Sequence, residues 1–165
     1  MTVQTILSWP DKRLRTACAP VEEITDETRA IWQDMIDTMD AMPGVGLGAP
    51  QIGVMQRLAV VDTSEARDKR IRLANPEVID GSAIMNVHEE ASPCLQGVSA
   101  KVSRPRGVRV RFMDETGATV ERDFVGLDAT SVQHQIDHLD GKLYFDRLSK
   151  VKRDMLLKRA RKIAG

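Results

Sequence analysis

The stretch Gln133–Gly141 constrains this chain more than any other, because it carries His134 and His138 four residues apart. On a helix, residues i and i+4 lie one turn apart on the same face, so both imidazoles can reach one metal ion. In the His-Glu-x-x-His motif, the residue after the first histidine is a glutamate that serves as general base. Here that residue is Gln135. The sequence therefore predicts a helical pair of metal ligands without the base.

Length and composition favour an ordinary globular domain. The chain has 165 residues, enough to bury a core, and its 42% hydrophobic and 29% charged residues are typical of globular proteins. It shows no apolar run of membrane-spanning length, and we expect no signal peptide, because its first residues lack the basic and apolar regions of one. Cys18 and Cys94 have no spacing typical of a disulfide framework. We therefore predict one cytoplasmic domain, residues 1–165, with no membrane partner.

Charge is unevenly distributed, although the formal net charge is zero. From residue 147 to the end there are eight basic residues and one acidic residue, which gives this segment a net charge of +7. Two interpretations remain open. The basic segment is either a solvated helix face or a docking surface for an anionic partner such as ribosomal RNA. We expect no DNA partner.

Helical periodicity predicts three helices. The first has Thr25 as its N-cap and ends at Pro43, and the second spans about 128–139 and carries the histidines. The third is amphipathic. Its predicted apolar face consists of Leu148, Val151, Met155, Leu156, Ala160 and Ile163.

Short runs with strand character separate these helices. Leu58–Asp62 is one predicted strand, and Ile71–Asn75 is another that Pro76 ends. Val108–Met113 and Val120–Val125 alternate in hydrophobicity around a turn, which predicts a hairpin. Mixed strands combined with three helices indicate an α+β fold.

Glycines recur at positions 44, 46, 48 and 53, on both sides of Gln51. Such a run predicts positive φ angles or close backbone approaches. A phosphate cradle is disfavoured, because the Lys-Ser/Thr of a P-loop is missing and no clear strand precedes the glycines. Two interpretations remain: a structural loop, or a backbone strip that hydrogen-bonds an extended ligand while Gln51 supplies a side-chain amide.

A catalytic zinc-type site needs a third protein ligand besides the two histidines. The candidates are Cys94, His88, Glu89, Glu90, Asp137 and Asp140. A lone cysteine is more often a small buried hydrophobe than a ligand, and we interpret His88 as a surface histidine. The residues alone leave the third ligand open.

Three stretches resemble, in order and spacing, the three motifs of the peptide deformylases: Gly44–Gln51, Cys94-Leu95 and His134–His138. The resemblance extends over nearly the whole chain and includes Asn75-Pro76 and Leu148-Ser149. It implies a peptide-deformylase-like fold, with mixed and antiparallel sheets around the central metal-binding helix and with further helices near both ends.

The resemblance also implies a metal site made by Cys94, His134 and His138. The family's usual metal is Fe(II), and zinc, nickel or cobalt can occupy the site. A thiolate and two neutral imidazoles suit such ions. Asp137 and Arg104 are implied as partners that orient a ligating histidine.

The implied substrate is an N-formylmethionyl peptide, from which a metal-activated water removes the formyl group of a nascent chain. Gln51 and the backbone N–H of Leu95 are the implied oxyanion donors. Val45, Gly46 and Leu47 are implied to pair with the extended peptide like an added strand.

The chain departs from the family pattern at this site. Gln135 cannot accept a proton near pH 7, which predicts a loss of roughly 10²–10⁴-fold in rate. The family's Glu-Gly-Cys-Leu-Ser is here Ser92-Pro93-Cys94-Leu95-Gln96, so Ser92 removes a charge and Pro93 stiffens the strand. Ser99 stands where an arginine normally holds the substrate backbone. Several differences together favour natural divergence over a single engineered Glu→Gln change.

Three functional hypotheses follow. The first is a peptide deformylase whose activity is weakened or altered by Gln135, Ser92 and Ser99, with Val132 as a candidate for the methionine pocket. The second is a working deformylase in which another carboxylate relays protons. Its candidates are Glu89, Glu90 and Asp140. The third is a catalytically inactive homologue that binds modified N-termini or docks on the ribosome through the basic C-terminal helix.

Overall fold

A computed structural model describes residues 2–165, and within that range the chain forms three α-helices and seven strands. The helices are α1 (Asp26–Ala41), α2 (Leu127–Leu139) and α3 (Lys150–Ala164). The strands are β1 (Gly46–Gly48), β2 (Leu58–Val61), β3 (Ile71–Gly81), β4 (Met85–Ser92), β5 (Leu95–Pro105), β6 (Gly107–Met113) and β7 (Thr119–Val125). Short 3₁₀ turns lie at Lys12–Arg15, Ala49–Ile52 and Tyr144–Arg147. None of the helices within residues 2–165 combines the length and apolar character needed to cross a membrane.

The strands form two antiparallel groups. One is a five-stranded sheet in the order β1-β2-β3-β6-β7, and the other is the hairpin of β4 and β5. The predicted α+β class and the β6–β7 hairpin are confirmed. Because β1 lies at one edge of the five-stranded sheet, part of its backbone is available to pair with another strand.

The middle of the large sheet is covered on both faces, as β2 shows. Leu58 and Val60 pack in the cluster formed with α1, whereas Ala59 and Val61 pack in the cluster formed with α2. Successive strand residues point to opposite faces, so all four are buried. The helix α2 is itself enclosed, with every residue from 129 to 139 buried. The predicted histidine helix is therefore the central helix of the fold.

The predicted start of α1 is also confirmed. The Thr25 hydroxyl accepts a hydrogen bond from the backbone N–H of Thr28 at 3.2 Å, and Asp26 and Glu27 lie in the first turn, where the helix dipole favours acids. One face of the helix is buried with Trp32 in the cluster shared with β1 and β2.

The prediction that Pro76 ends a strand was wrong, because β3 continues through it to Gly81. Asn75 has a positive φ of 51°, and the register with β6 shifts between Ala74 and Glu77. The Asn75 side chain holds this bend with hydrogen bonds of 2.8 and 2.7 Å to the backbone of Val21. A proline without an N–H is tolerated at such an irregularity.

The predicted apolar face of α3 is only half correct. Leu156 and Ala160 are buried in a cluster with β5, but Val151, Met155 and Ile163 are 69%, 62% and 60% exposed. The helix thus buries a narrower stripe than its hydrophobic pattern predicts.

Candidate active site

The two predicted histidine ligands lie together on α2. The ring centroids of His134 and His138 are 5.0 Å apart, and both side chains are buried. Burial, followed by the neighbouring His134, lowers the pKa of His138 well below its ordinary value. Neither ring nitrogen of His138 has a hydrogen-bond partner among residues 2–165. A buried, neutral imidazole of this kind has the form in which histidine binds metals.

Glu90, at the inner face of β4, fixes His134. Its Oε1 lies 2.8 Å from Nδ1 of His134, while Arg104 donates from Nε to Oε2 at 2.7 Å and from a terminal nitrogen to Oε1 at 2.8 Å. Burial raises the pKa of Glu90, but the hydrogen bonds from Arg104 and His134 outweigh burial and hold that pKa below its ordinary value. The carboxylate is therefore charged and accepts every one of these bonds.

Asp137 has a different role from the one expected. Its carboxylate accepts hydrogen bonds from Arg104 at 2.9 Å and from Arg147 at 2.7 and 2.8 Å. The expectation that Asp137 orients a histidine is not met for His134, because Glu90 makes that contact. Arg104 lies near the site, as expected, but its hydrogen bonds go to the carboxylates of Glu90 and Asp137 and not to a histidine.

Cys94 lies in the two-residue turn that joins β4 to β5, next to Pro93. Pro93 therefore belongs to a turn, and the expectation that it stiffens a strand was wrong; its fixed φ suits the second position of a turn. The backbone N–H of Cys94 donates to the Ser92 hydroxyl at 3.3 Å. Burial raises the pKa of the Cys94 thiol, although Gln51 and Ser92 act in the opposite direction. A cation beside the sulfur would favour the thiolate.

The two predicted oxyanion donors border Cys94. Gln51 lies in the 3₁₀ turn after β1, where its Oε1 accepts from the Gly48 N–H at 2.8 Å and its Nε2 lies 3.5 Å from the Cys94 sulfur. Leu95 follows Cys94 directly at the start of β5. The structure thus brings Gln51 and Leu95 to one place, while their role as oxyanion donors stays a prediction.

A cleft of about 260 Å³ opens beside His134. Val45 and Gly46, from the predicted substrate strip, line it together with His134 and Gln135. Leu47 has its side chain in the core beneath α1, so only its backbone can belong to that strip. Val132, the candidate for the methionine pocket, packs instead in the core against β6 and β7.

Gln135 forms part of the wall of this cleft and is almost completely buried. Its side chain is 5% exposed, and its Oε1 is buried without a hydrogen-bond partner in the described part of the chain. A Cβ at Gly46 would lie 2.6 Å from Gln135 Nε2 and 2.6 Å from the Ser131 hydroxyl. Ser131 in turn donates to the Val45 carbonyl at 3.0 Å, which ties β1 to α2. Close approach of these elements accounts for the glycine at 46.

The proton-relay candidates Glu89 and Asp140, and the ligand candidate His88, each have a hydrogen-bond partner in the structure. Glu89 is exposed at the rim of the cleft and accepts a hydrogen bond from Ser99 at 2.7 Å. Asp140 pairs with Arg57 at 2.8 Å beyond the C-terminal end of α2. His88 is half-buried and bonds to Thr130 at 2.7 Å.

The donor set suits a divalent metal, although residues 2–165 contain no three His, Cys, Asp or Glu side chains already arranged to hold one. Glu90 occupies Nδ1 of His134, which leaves Nε2 for a ligand. His138 has two nitrogens without described partners, and Cys94 lies beside Gln51. The triad of Cys94, His134 and His138 therefore stays a prediction that the chemistry of these groups supports.

Known proteins share this sequence and fold. A family model described as polypeptide deformylase matches residues 3–154. The peptide deformylase of Afipia carboxidovorans is 44% identical over 166 residues, covering 99% of this chain and 97% of the relative. That of Hydrogenovibrio crunogenus is 45% identical over 157 residues, covering 95% and 92%.

Solved structures agree. The crystal structure of a peptide deformylase from Legionella pneumophila has a TM-score of 0.91 at 38% identity, covering 99% of this chain and 96% of the other. The peptide deformylase from Ehrlichia chaffeensis in complex with actinonin has a TM-score of 0.91 at 32% identity, covering 98% of both chains. This chain belongs to the polypeptide deformylase family.

Proposed function

We propose that the protein is a metal-dependent hydrolase that removes the formyl group from N-formylmethionyl peptides in the cytoplasm, and that Gln135 weakens this activity. The observation that carries the proposal is the pair on α2: His134 is oriented by Glu90, and His138 is buried with ring nitrogens that lack partners within residues 2–165. Both lie within the residues that the family model matches, and His134 lines a cleft together with Gln135.

Cys94, His134 and His138 would hold one divalent ion, with Fe(II) as the native metal and zinc, nickel or cobalt as replacements. When bound, such an ion polarises the scissile carbonyl and lowers the pKa of water. The protein's own part is to present two neutral imidazoles and a thiolate from rigid elements, α2 and the β4–β5 turn.

The peptide would bind along β1. Gly46 and Leu47 lie in the edge strand β1 and Val45 directly precedes it, so their backbone would pair with an extended chain as an added strand. Gln51 Nε2 and the Leu95 N–H would donate to the negative charge that develops on the formyl oxygen when water adds to the formyl carbon. Each such donor contributes roughly 3–4 kcal/mol in comparable sites.

Gln135 would limit the reaction. An amide at this place can donate to or accept from the substrate or water, but it cannot take a proton and return it to the leaving amine. General acid–base catalysis contributes roughly 10²–10⁴-fold, so a slow enzyme is the expected outcome.

A second candidate function is a binding module that holds a modified N-terminus without cleaving it. Ser99, which replaces a substrate-binding arginine of the family pattern, is bonded to Glu89. The exposed basic residues of α3, among them Lys158 and Arg161, would dock this module on the ribosome. Salt-dependent co-sedimentation that weakens in K158A/R161A supports docking, and no co-sedimentation at low salt excludes it.

Anaerobic assays with formyl-Met-Ala-Ser separate the two candidates. Fe(II)-loaded protein is mixed with peptide, and both bound peptide and released formate are measured, with C94A as the control for metal loading. Slow formate release that disappears in C94A supports the hydrolase. Stoichiometric peptide binding without formate release over many hours contradicts it and favours the binding module.

A further inference from the structure

The inner face of β4 supplies polar side chains to the helix that it covers. Residues 88, 90 and 92 lie on this face because strand side chains alternate. His88 bonds to Thr130 of α2, and Glu90 bonds to His134 of α2. Ser92 turns its hydroxyl toward the backbone N–H of Cys94. Glu90 contacts the ring of the predicted ligand His134, whereas Ser92 contacts only the backbone of the predicted ligand Cys94.

The contacts of Glu90 determine which His134 nitrogen carries the proton. Arg104 donates twice to the carboxylate, at 2.7 and 2.8 Å, in the two-bond geometry typical of an ionised carboxylate paired with a guanidinium. An ionised carboxylate only accepts hydrogen bonds, so Nδ1 of His134 must be the donor at 2.8 Å. Nε2 then keeps its lone pair, and the ring is held in one orientation.

We propose that Glu90 is the positioning residue of the metal site, and that it takes over the place left by Ser92, where the family pattern has glutamate. This inference rests on the proposed metal-binding function. Positions 90 and 92 lie on the same face of β4, roughly 6.5–7 Å apart, so a glutamate side chain at either position can reach α2. The presence of Ser92 predicts the loss of a negative charge at the site. Glu90 restores that charge.

Electrostatics gives Glu90 a second effect on the metal. Arg104 is buried beside the histidine helix, and Glu90 and Asp137 neutralise it from two sides. Without Glu90, a buried guanidinium faces His134 with one carboxylate fewer, and its charge opposes a cation bound nearby. Loss of such an orienting partner typically lowers metal affinity 10–100-fold.

Zinc affinity of the metal-free protein, measured by competition with a chromophoric chelator, tests the proposal. We expect E90Q, which keeps the side-chain shape, to bind zinc 10–100-fold more weakly than the parent. E89Q is the matched control, since it removes the same charge one residue away on the exposed face, and we expect its affinity to stay within about twofold. Equal affinity of E90Q and the parent, or equal losses in both variants, overturns the positioning role.

Two further readouts exclude a merely structural effect. In zinc-loaded parent protein, ¹⁵N NMR should show His134 with Nδ1 protonated and Nε2 bound to the metal; the opposite assignment overturns the proposal. E90S/S92E should regain at least tenfold in zinc affinity over E90S, and no regain contradicts the exchange between the two positions. Parent protein that binds no zinc refutes the proposed function itself, whereas parent binding with unaffected E90Q refutes only this inference.

Discussion

Arg104 is the most buried cation of the described chain near the site, and its replacement by methionine should destabilise the metal-free protein strongly. The guanidinium is 1% exposed and forms ion pairs with Glu90 at 2.7 Å and with Asp137 at 2.9 Å. In R104M, Asp137 keeps Arg147, but Glu90 keeps only its contact with His134. A buried carboxylate thus loses its main partner.

The expected magnitude follows from this geometry. Removing one partner of a buried ion pair costs about 3–5 kcal/mol, because the remaining charge stays desolvated. For a chain of this size, 1 kcal/mol corresponds to about 2–4 °C in Tm, so R104M should melt roughly 6–20 °C below the parent. The matched control is R109M. Arg109 is 50% exposed and pairs with an exposed Asp123, so its loss should cost about 1 kcal/mol or less.

The pH dependence gives an independent check. Hydrogen bonds and charges from the arginines hold the pKa values of Glu90 and Asp137 below their ordinary values, although burial, the largest single effect, raises them. A depressed carboxyl pKa contributes stability that is present above the unfolded-state pKa and lost as pH falls through the folded-state pKa. Urea denaturation should therefore show a gap between parent and R104M that is full at pH 7 and narrows below about pH 4. Equal stability of R104M and R109M at pH 7 would refute this reasoning.

Three other predictions concern the cleft and α3. G46A should lose about 1–3 kcal/mol of unfolding free energy and bind formyl-Met-Ala-Ser poorly, because the new Cβ would collide with Gln135 and Ser131. Unchanged peptide binding by calorimetry would mean that the peptide does not bind in this cleft. L156A should cost about 2–5 kcal/mol by urea denaturation while M155A stays within about 0.5 kcal/mol, and equal losses would mean that α3 packs differently. In metal-free Q135E, burial should raise the pKa of the new carboxyl. The stability of Q135E relative to the parent should therefore be retained below the unfolded-state pKa and fall as pH rises toward 8. A constant difference in stability from pH 4 to pH 8 would contradict this prediction.

Local signals in the sequence predicted much of the fold. The helical spacing of 128–139, the Thr25 cap and the alternation around the β6–β7 turn each depend on contacts within one element or between neighbours. The break predicted at Pro76 failed because Asn75 finds its partner at Val21, far away in the sequence. The broad apolar face predicted for α3 failed because only the residues over β5 are covered.

In the site, too, residues linked by short sequence spacing could be predicted, whereas contacts between distant residues could not. His134, His138 and Gln135 were identified from spacing alone, and Cys94 from the family resemblance, because motifs preserve residue types at fixed intervals. Glu90 was considered only as a ligand or relay, since its partner His134 lies 44 residues away and no periodicity links them. The inner face of β4, on which Glu90 is buried, is defined only by the folded structure.

The most direct measurement is the rate of formate release from formyl-Met-Ala-Ser by Fe(II)-loaded Q135E and parent protein, under anaerobic conditions and at equal metal content. If the protein is a deformylase that lacks only its general base, Q135E should be at least about a hundredfold faster than the parent. Equal rates at equal metal content would contradict this, and would mean that the surroundings of Ser92, Pro93 and Ser99 have changed what the site does.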